Sequence, residues 1–148
     1  VNLPDAGRID VVEIASGKPL ATWRNGLPKF NFPLALDPSS RTLATVYRLP
    51  GSLALHDLAS GARRQRLGAC GDADDVFFDP GRKRIYVICG SGAVDVFAAT
   101  ANGYARQDRV PTRSGARTGL FVPQLDRLFV AARAGPSTQA AILVYRPR

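Results

Sequence analysis

Short apolar stretches recur along this chain in two rhythms. Leu53 and Leu55, and again Val94 and Val96, alternate with small or polar residues, which is the period of a half-buried β-strand. Val76, Phe77 and Phe78, and residues 85 to 88, are unbroken apolar runs of strand length, as expected where both faces of a strand are covered. None of these segments carries the 3.6-residue spacing of an amphipathic helix. Turn-forming segments separate them. Asp79-Pro80-Gly81-Arg82 suits a tight hairpin. Ala15-Ser16-Gly17-Lys18, Ala59-Ser60-Gly61-Ala62 and Ala101-Asn102-Gly103-Tyr104 each place Gly where a positive φ closes a turn. The predicted class is all-β.

The strands repeat. Residues 8 to 17, with Ile9, Val11 and the Ala15-Ser16-Gly17 turn, return at 52 to 61 as Leu53, Leu55 and Ala59-Ser60-Gly61, an offset of 44. A third copy starts at Ala93-Val94-Asp95-Val96-Phe97 and a shortened fourth is Ile142-Leu143-Val144-Tyr145. Between them Leu34-Ala35-Leu36-Asp37-Pro38 becomes Val76-Phe77-Phe78-Asp79-Pro80 and then Leu120-Phe121-Val122-Pro123, so that the prolines stand 42 and 43 residues apart. A period of this length filled with short strands is that of one four-stranded propeller blade, each blade burying its neighbour's flank. A β-sandwich, the competing all-β architecture, rarely repeats so regularly. In the middle copy the four strands are expected at about 74 to 79, 84 to 89, 93 to 97 and 104 to 110.

Composition agrees and narrows the class. The 148 residues are 45% hydrophobic and 22% charged, a globular balance, and no apolar run approaches the ~18 residues of a membrane-spanning helix. Fourteen Gly and eleven Pro, with seventeen Arg but only three Lys and one Glu, favour turns over long helices. The formal charge of +8 admits nucleic acid as a partner. Its distribution argues against one: Arg63, Arg64 and Arg66, then Arg82, Lys83 and Arg84, then Arg106, Arg109 and Arg113 fall in separate places. Trp23, Tyr86 and Tyr104 occupy different blades instead of interleaving with them as stacking platforms.

The blades resemble those of the YVTN-type β-propellers, and specifically the bacterial YncE-like family. The resemblance rests on Ile85-Tyr86-Val87, on the recurring strand and Ala-Ser-Gly turn, and on three stretches at the start of the repeat. These are residues 31 to 37, 74 to 79 and 116 to 123, and the likeness runs over nearly the whole chain. The third copy departs from it, with Val122 where the others carry Asp37 and Asp79. The resemblance implies an exported protein, and a last blade completed by a strand from the N-terminal region. The repeats divide the chain at about 1–26, 27–70, 71–115 and 116–148, giving an expected thirteen strands in about three blades. That is too few to close a ring of four to eight blades. The chain, which has no Met, is therefore expected to be the C-terminal part of a larger propeller with further blades upstream and a signal peptide outside this segment.

Function is expected where the connections entering the first strand of each blade meet at the central channel. The aligned positions there are Phe32, Asp74 and Arg117, followed by Pro33, Asp75 and Thr118, with Asn31 just before. Asp74, Asp75 and Arg117 could orient a polar ligand, hold a cation, or tie neighbouring blades together by charge-assisted bonds. Calcium wants six or more oxygens, and Asn31, Asp72, Asp74 and Asp75 are too few to assign a metal. No cofactor motif is present. The single histidine, His56, lies next to Asp57 on a strand without a nucleophile elbow and reads as a packed side chain. Cys70 and Cys89 flank adjacent strand ends on the channel face, with Cys89 expected near Asp74. They read either as a bridge closing a loop of about 19 residues or as two buried thiols. A bridge together with the resemblance points to a periplasmic or extracellular location. The expected function is that of a non-enzymatic ligand- or protein-binding scaffold module. The alternative is a propeller lactonase or hydrolase with a metal or polar site in the channel.

Overall fold

The computed structural model describes residues 1–26 and 29–148, Lys29 by its backbone alone. The blade boundary expected between residues 26 and 27 falls on the edge of the segment outside that description. Among the described residues fourteen strands form four antiparallel sheets, each a simple meander. The first sheet is β1 (Asn2–Leu3), β2 (Arg8–Val12) and β3 (Pro19–Arg24). The second is β4 (Lys29–Asp37), β5 (Thr42–Leu49), β6 (Gly51–Asp57) and β7 (Arg63–Gly68). The third is β8 (Ala73–Asp79), β9 (Arg84–Cys89), β10 (Ala93–Thr100) and β11 (Gly103–Pro111). The last is β12 (Thr118–Val122), β13 (Arg127–Ala132) and β14 (Ala141–Tyr145), with a short 3-10 turn at Pro123–Leu125. The count exceeds the expected thirteen because Asn2 and Leu3 pair with Ile9 and Arg8.

The first strands of successive sheets converge, β4 beside β8 and β8 beside β12, while β7 and β11 meet at the rim. There the Gln65 amide donates to the Tyr104 carbonyl at 2.8 Å and accepts from the Tyr104 N–H at 2.9 Å, replacing a stretch of backbone pairing between two blades. Apolar side chains fill the wedges. Ala44, Val46, Leu53 and Leu55 of the second sheet pack on Val76, Ile85, Val87 and Phe97 of the third. Tyr86, Ile88 and Val94 on the opposite face of the third sheet pack on Phe121, Leu128 and Val130 of the fourth. The unbroken apolar run of β9 follows from this position: alternate residues serve different wedges, so both faces are covered.

The turns show which parts of the repeat do structural work. Asp37 accepts from Ser39 N–H at 3.0 Å and from the hydroxyls of Ser39 and Ser40 at 2.6 Å. Asp79 accepts from Arg82 N–H at 3.2 Å and from the Tyr86 hydroxyl at 2.7 Å. These aspartates fasten the turn after the first strand of their blades. Val122 cannot, and the 3-10 turn stands in its place. In the turn after β8 the left-handed residue is Lys83, with Arg41 and Asp126 at the matching positions, and not Gly81. At the turns between the third and fourth strands Gly17, Gly61 and Gly103 do take positive φ.

Candidate functional site

The loop from Cys70 to Asp74 carries the candidate carboxylates and is anchored at both ends. Cys70 N–H donates to Asp95 Oδ2 at 2.8 Å, and a disulfide joins Cys70 to Cys89 at the end of β9. The Gly90 N–H donates to the Asp72 carbonyl at 2.8 Å and the Ser91 N–H to the Gly71 carbonyl at 3.2 Å. Asp72 lies in the left-handed region with φ 59°, which turns its carboxylate over Gly90. A side chain at Gly90 would collide with that carboxylate, so the glycine provides the space it occupies. The strand register sets Cys89 opposite Ala73, and a bulge follows between Ala73 and Asp75. Asp74 therefore projects from the bulge instead of facing Cys89.

Two arginines from neighbouring sheets close on this loop. Arg48, near the end of β5, bonds Asp74 through Nη2, reaches Asp72 Oδ1 at 3.4 Å and donates to the Ala73 carbonyl at 3.2 Å. Arg117, just before β12, reaches Asp72 Oδ2 at 2.7 Å and Asp74 Oδ2 at 2.8 Å. Each carboxylate is thus shared by both guanidiniums. The four alternating charges link the second, third and fourth sheets on one face. The Arg48 guanidinium also lies 3.8 Å above the centre of the Phe32 ring.

Of the residues singled out in the sequence, the structure gathers Phe32, Asp74 and Arg117 here and sends the others elsewhere. Asn31 is fully buried on the other side of β4, where its amide donates to Asn2 Oδ1 at 2.8 Å and to the Arg8 carbonyl at 3.2 Å. Asp75 accepts from Gly119 N–H at 2.7 Å and so pins β8 to β12. Burial pushes its carboxyl above the usual range, the Gly119 bond opposing. Thr118 is exposed at the start of β12. Arg48 is not among the residues the sequence singles out, and Asp72 enters there only as a metal-ligand oxygen. A signal for Arg48 exists: it occupies the repeat position of Gly90 and Arg133, where a large cation in one blade meets an empty place in the next.

The arrangement joins charges more than it presents them. Among the described residues no group of three or more His, Cys, Asp or Glu side chains is placed to hold a metal ion. His56 is nine-tenths buried near the far end of the second sheet, with Nδ1 3.1 Å from the Gly61 carbonyl. Several of the basic residues are likewise engaged: Arg64 with Asp57, Arg82 with Asp79 and Asp126, and Arg106 and Arg109 with Asp95.

No protein-family profile matches the chain, and neither does any curated protein. Solved structures do. The chain superposes on Kuenenia stuttgartiensis hydrazine synthase with a TM-score of 0.82 at 14% identity, covering 97% of this chain and 41% of that one. For a chain of the mitotic checkpoint complex the TM-score is 0.73 at 19% identity, with 87% and 40% covered. For a putative 6-phosphogluconolactonase from Bacteroides uniformis it is 0.77 at 22% identity, with 98% and 46% covered. The likeness establishes a β-propeller fold, here a partial one, and the chain spans less than half the length of each of these neighbours. That one fold is shared by proteins so differently named shows how little it says about activity.

Proposed function

We propose that this chain is an arc of a larger propeller that serves as a non-enzymatic binding or scaffold module in an exported bacterial protein of the YncE-like, YVTN type. One observation carries the reading. The charged groups gathered where the first strands of three sheets converge, Asp72, Asp74, Arg48 and Arg117, are paired with one another. Their charge is spent on joining blades. A partner, protein or small molecule, meets a nearly neutral rim with the half-exposed Phe32 beside it, and the remaining blades complete the surface. The Cys70–Cys89 bridge supports export, because reducing compartments do not maintain such bonds.

The lactonase-type alternative requires the same carboxylates to serve a metal or a reacting substrate. Elemental analysis and lactone hydrolysis assays on the full-length protein separate the two, with Asp74→Asn as the control. The expected result is a divalent metal content well below one per chain, no hydrolysis above background, and a lowered melting temperature in the variant. A stoichiometric divalent cation that is lost in Asp74→Asn together with lactone hydrolysis would overturn the proposal.

A further inference from the structure

The first sheet is attached differently from the others. Neither of the two apolar clusters that unite the second, third and fourth sheets includes a residue of β1, β2 or β3. In the seam between the first and second sheets, the cross-strand partners Ile9 and Trp23 lie toward the face of the second sheet that carries Thr45, Tyr47, Ser52 and His56. The Trp23 ring covers Gly61 in direct contact.

That seam collects unsatisfied polar atoms. Of the six buried side-chain polar atoms that lack a hydrogen-bond partner among the described residues, Asn31 Oδ1, the Tyr47 hydroxyl and His56 Nε2 lie on the facing side of the second sheet, and both amide atoms of Asn25 belong to the residue that follows β3. Asn31 and Tyr47 have no accessible surface, and His56 keeps 4% of its own. Because the Gly61 carbonyl can only accept, His56 Nδ1 must donate to it, which leaves Nε2 as a bare acceptor with no donor. A buried polar atom left unpaired is less stable than the same atom hydrated. Exposing these atoms therefore offsets part of the loss from separating the two sheets.

We infer that the first sheet is a separable clasp: the seam between β1–β3 and β4–β7 opens ahead of the rest of the fold, and acid opens it further by placing a proton on His56 Nε2. The new charge would arise beside Arg63, the cross-strand partner of His56, with Arg66 and Tyr47 on the same sheet face. Among the described residues no acidic group acts on His56. On the first sheet Arg8, Asp10 and Arg24 alternate onto the opposite face, where Arg8 and Thr22 bond Asp10 at 3.2 and 2.9 Å. Asp57 alternates to the other side of β6 and is held by Ser60 and Arg64. Tyr47, pushed up to about 12 by burial, stays neutral throughout the range of interest.

Burial holds His56 below its ordinary value, the Gly61 bond opposing and Arg63 adding to the effect. The sign follows: the closed seam disfavours the protonated ring, so its stability is complete above about pH 6.5 and is lost as the pH falls below that value. With an open-state value near 6.5, opening at pH 5.5 should increase by up to about tenfold over pH 7.5.

The chain's single tryptophan sits in this seam, so Trp23 fluorescence and hydrogen exchange can both read it. Exchange in β2 and β3, corrected for the intrinsic pH effect, should exceed that in β9 and β10 at pH 7.5 and rise several-fold at pH 5.5. Trp23 emission should shift to the red over the same interval, with greater acrylamide quenching. His56→Gln should abolish the acid response, and Tyr47→Phe, which removes an unpaired hydroxyl, should slow opening. Exchange in β2 and β3 no faster than in β9 and β10, or an acid response that survives in His56→Gln, overturns the inference. Should His56→Gln fail to fold, Tyr47→Phe decides: equal or faster opening than in the parent chain contradicts it.

Discussion

Asp95 has no accessible surface, yet its carboxylate serves three neighbours at once, Arg106 among them at 3.7 Å. Arg109 grips it through Nε at 2.6 Å and Nη2 at 2.8 Å, and Cys70 N–H reaches it at 2.8 Å from the loop that enters the first strand of the same sheet. Because Arg109 is about half exposed, removing the acid does not strand a buried cation. What it strands is the Cys70 N–H. Asp95→Ala should therefore lower stability by about 2–3 kcal/mol, and Asp95→Asn, which keeps an acceptor, by clearly less. Urea unfolding midpoints check this, and an alanine variant within about 0.5 kcal/mol of the parent contradicts it. Sequence alone does not expose this residue. An Asp in an alternating strand looks solvent-facing, and its hydrogen-bond partners lie 14 and 25 residues away. The same holds for Arg48, whose importance depends on a loop in another blade. Asp37 and Asp79 were legible because their bonds are local and the Asp-Pro turn repeats.

At the scale of elements the repeat was a good guide, because a meander joins consecutive strands and needs only alternation and turns to be recognised. The third sheet runs β8 Ala73–Asp79, β9 Arg84–Cys89, β10 Ala93–Thr100 and β11 Gly103–Pro111, against expectations of 74–79, 84–89, 93–97 and 104–110. What escaped is irregularity: the bulge at Asp74 and the left-handed turn at Lys83, where no glycine marks the spot. The disulfide belongs to this scale, since it ties the Cys70–Asp74 loop to the end of β9. Closing a loop of 19 residues contributes about 3 kcal/mol in the chain-entropy account. The Cys70→Ser, Cys89→Ser double variant should melt roughly 6–12 °C lower than the oxidised chain, by calorimetry at neutral pH. Equal melting temperatures, or alkylation of both cysteines in native chain without reductant, would remove the bridge from the account of stability.

For the whole molecule the decisive property is that each sheet covers its neighbour while the two flanking sheets each keep a bare side. On β14, Leu143 and Tyr145 turn inward to the wedge, whereas Ile142 and Val144 remain 60% and 55% exposed on the outward face. The edge of β14 away from β13 pairs with no strand among the described residues. An apolar stripe beside an unpaired edge is a template for another strand. Opposing it is a net charge of +8, which makes two copies repel one another at long range. Salt screens that repulsion within about a Debye length, ~30 Å at 0.01 M and ~8 Å at 0.15 M, but leaves apolar burial intact. Self-association of this chain should therefore strengthen with ionic strength, the reverse of what an interface built on ion pairs would do. Sedimentation velocity over a concentration series at both salt levels should show the shift. Ile142→Lys with Val144→Lys should suppress it, because two cations on that face both remove the apolar stripe and add local repulsion. A monomer at every concentration and salt level would mean that the bare flank is covered from within the chain, and a dimer that dissociates with salt would place the contact among the arginines instead.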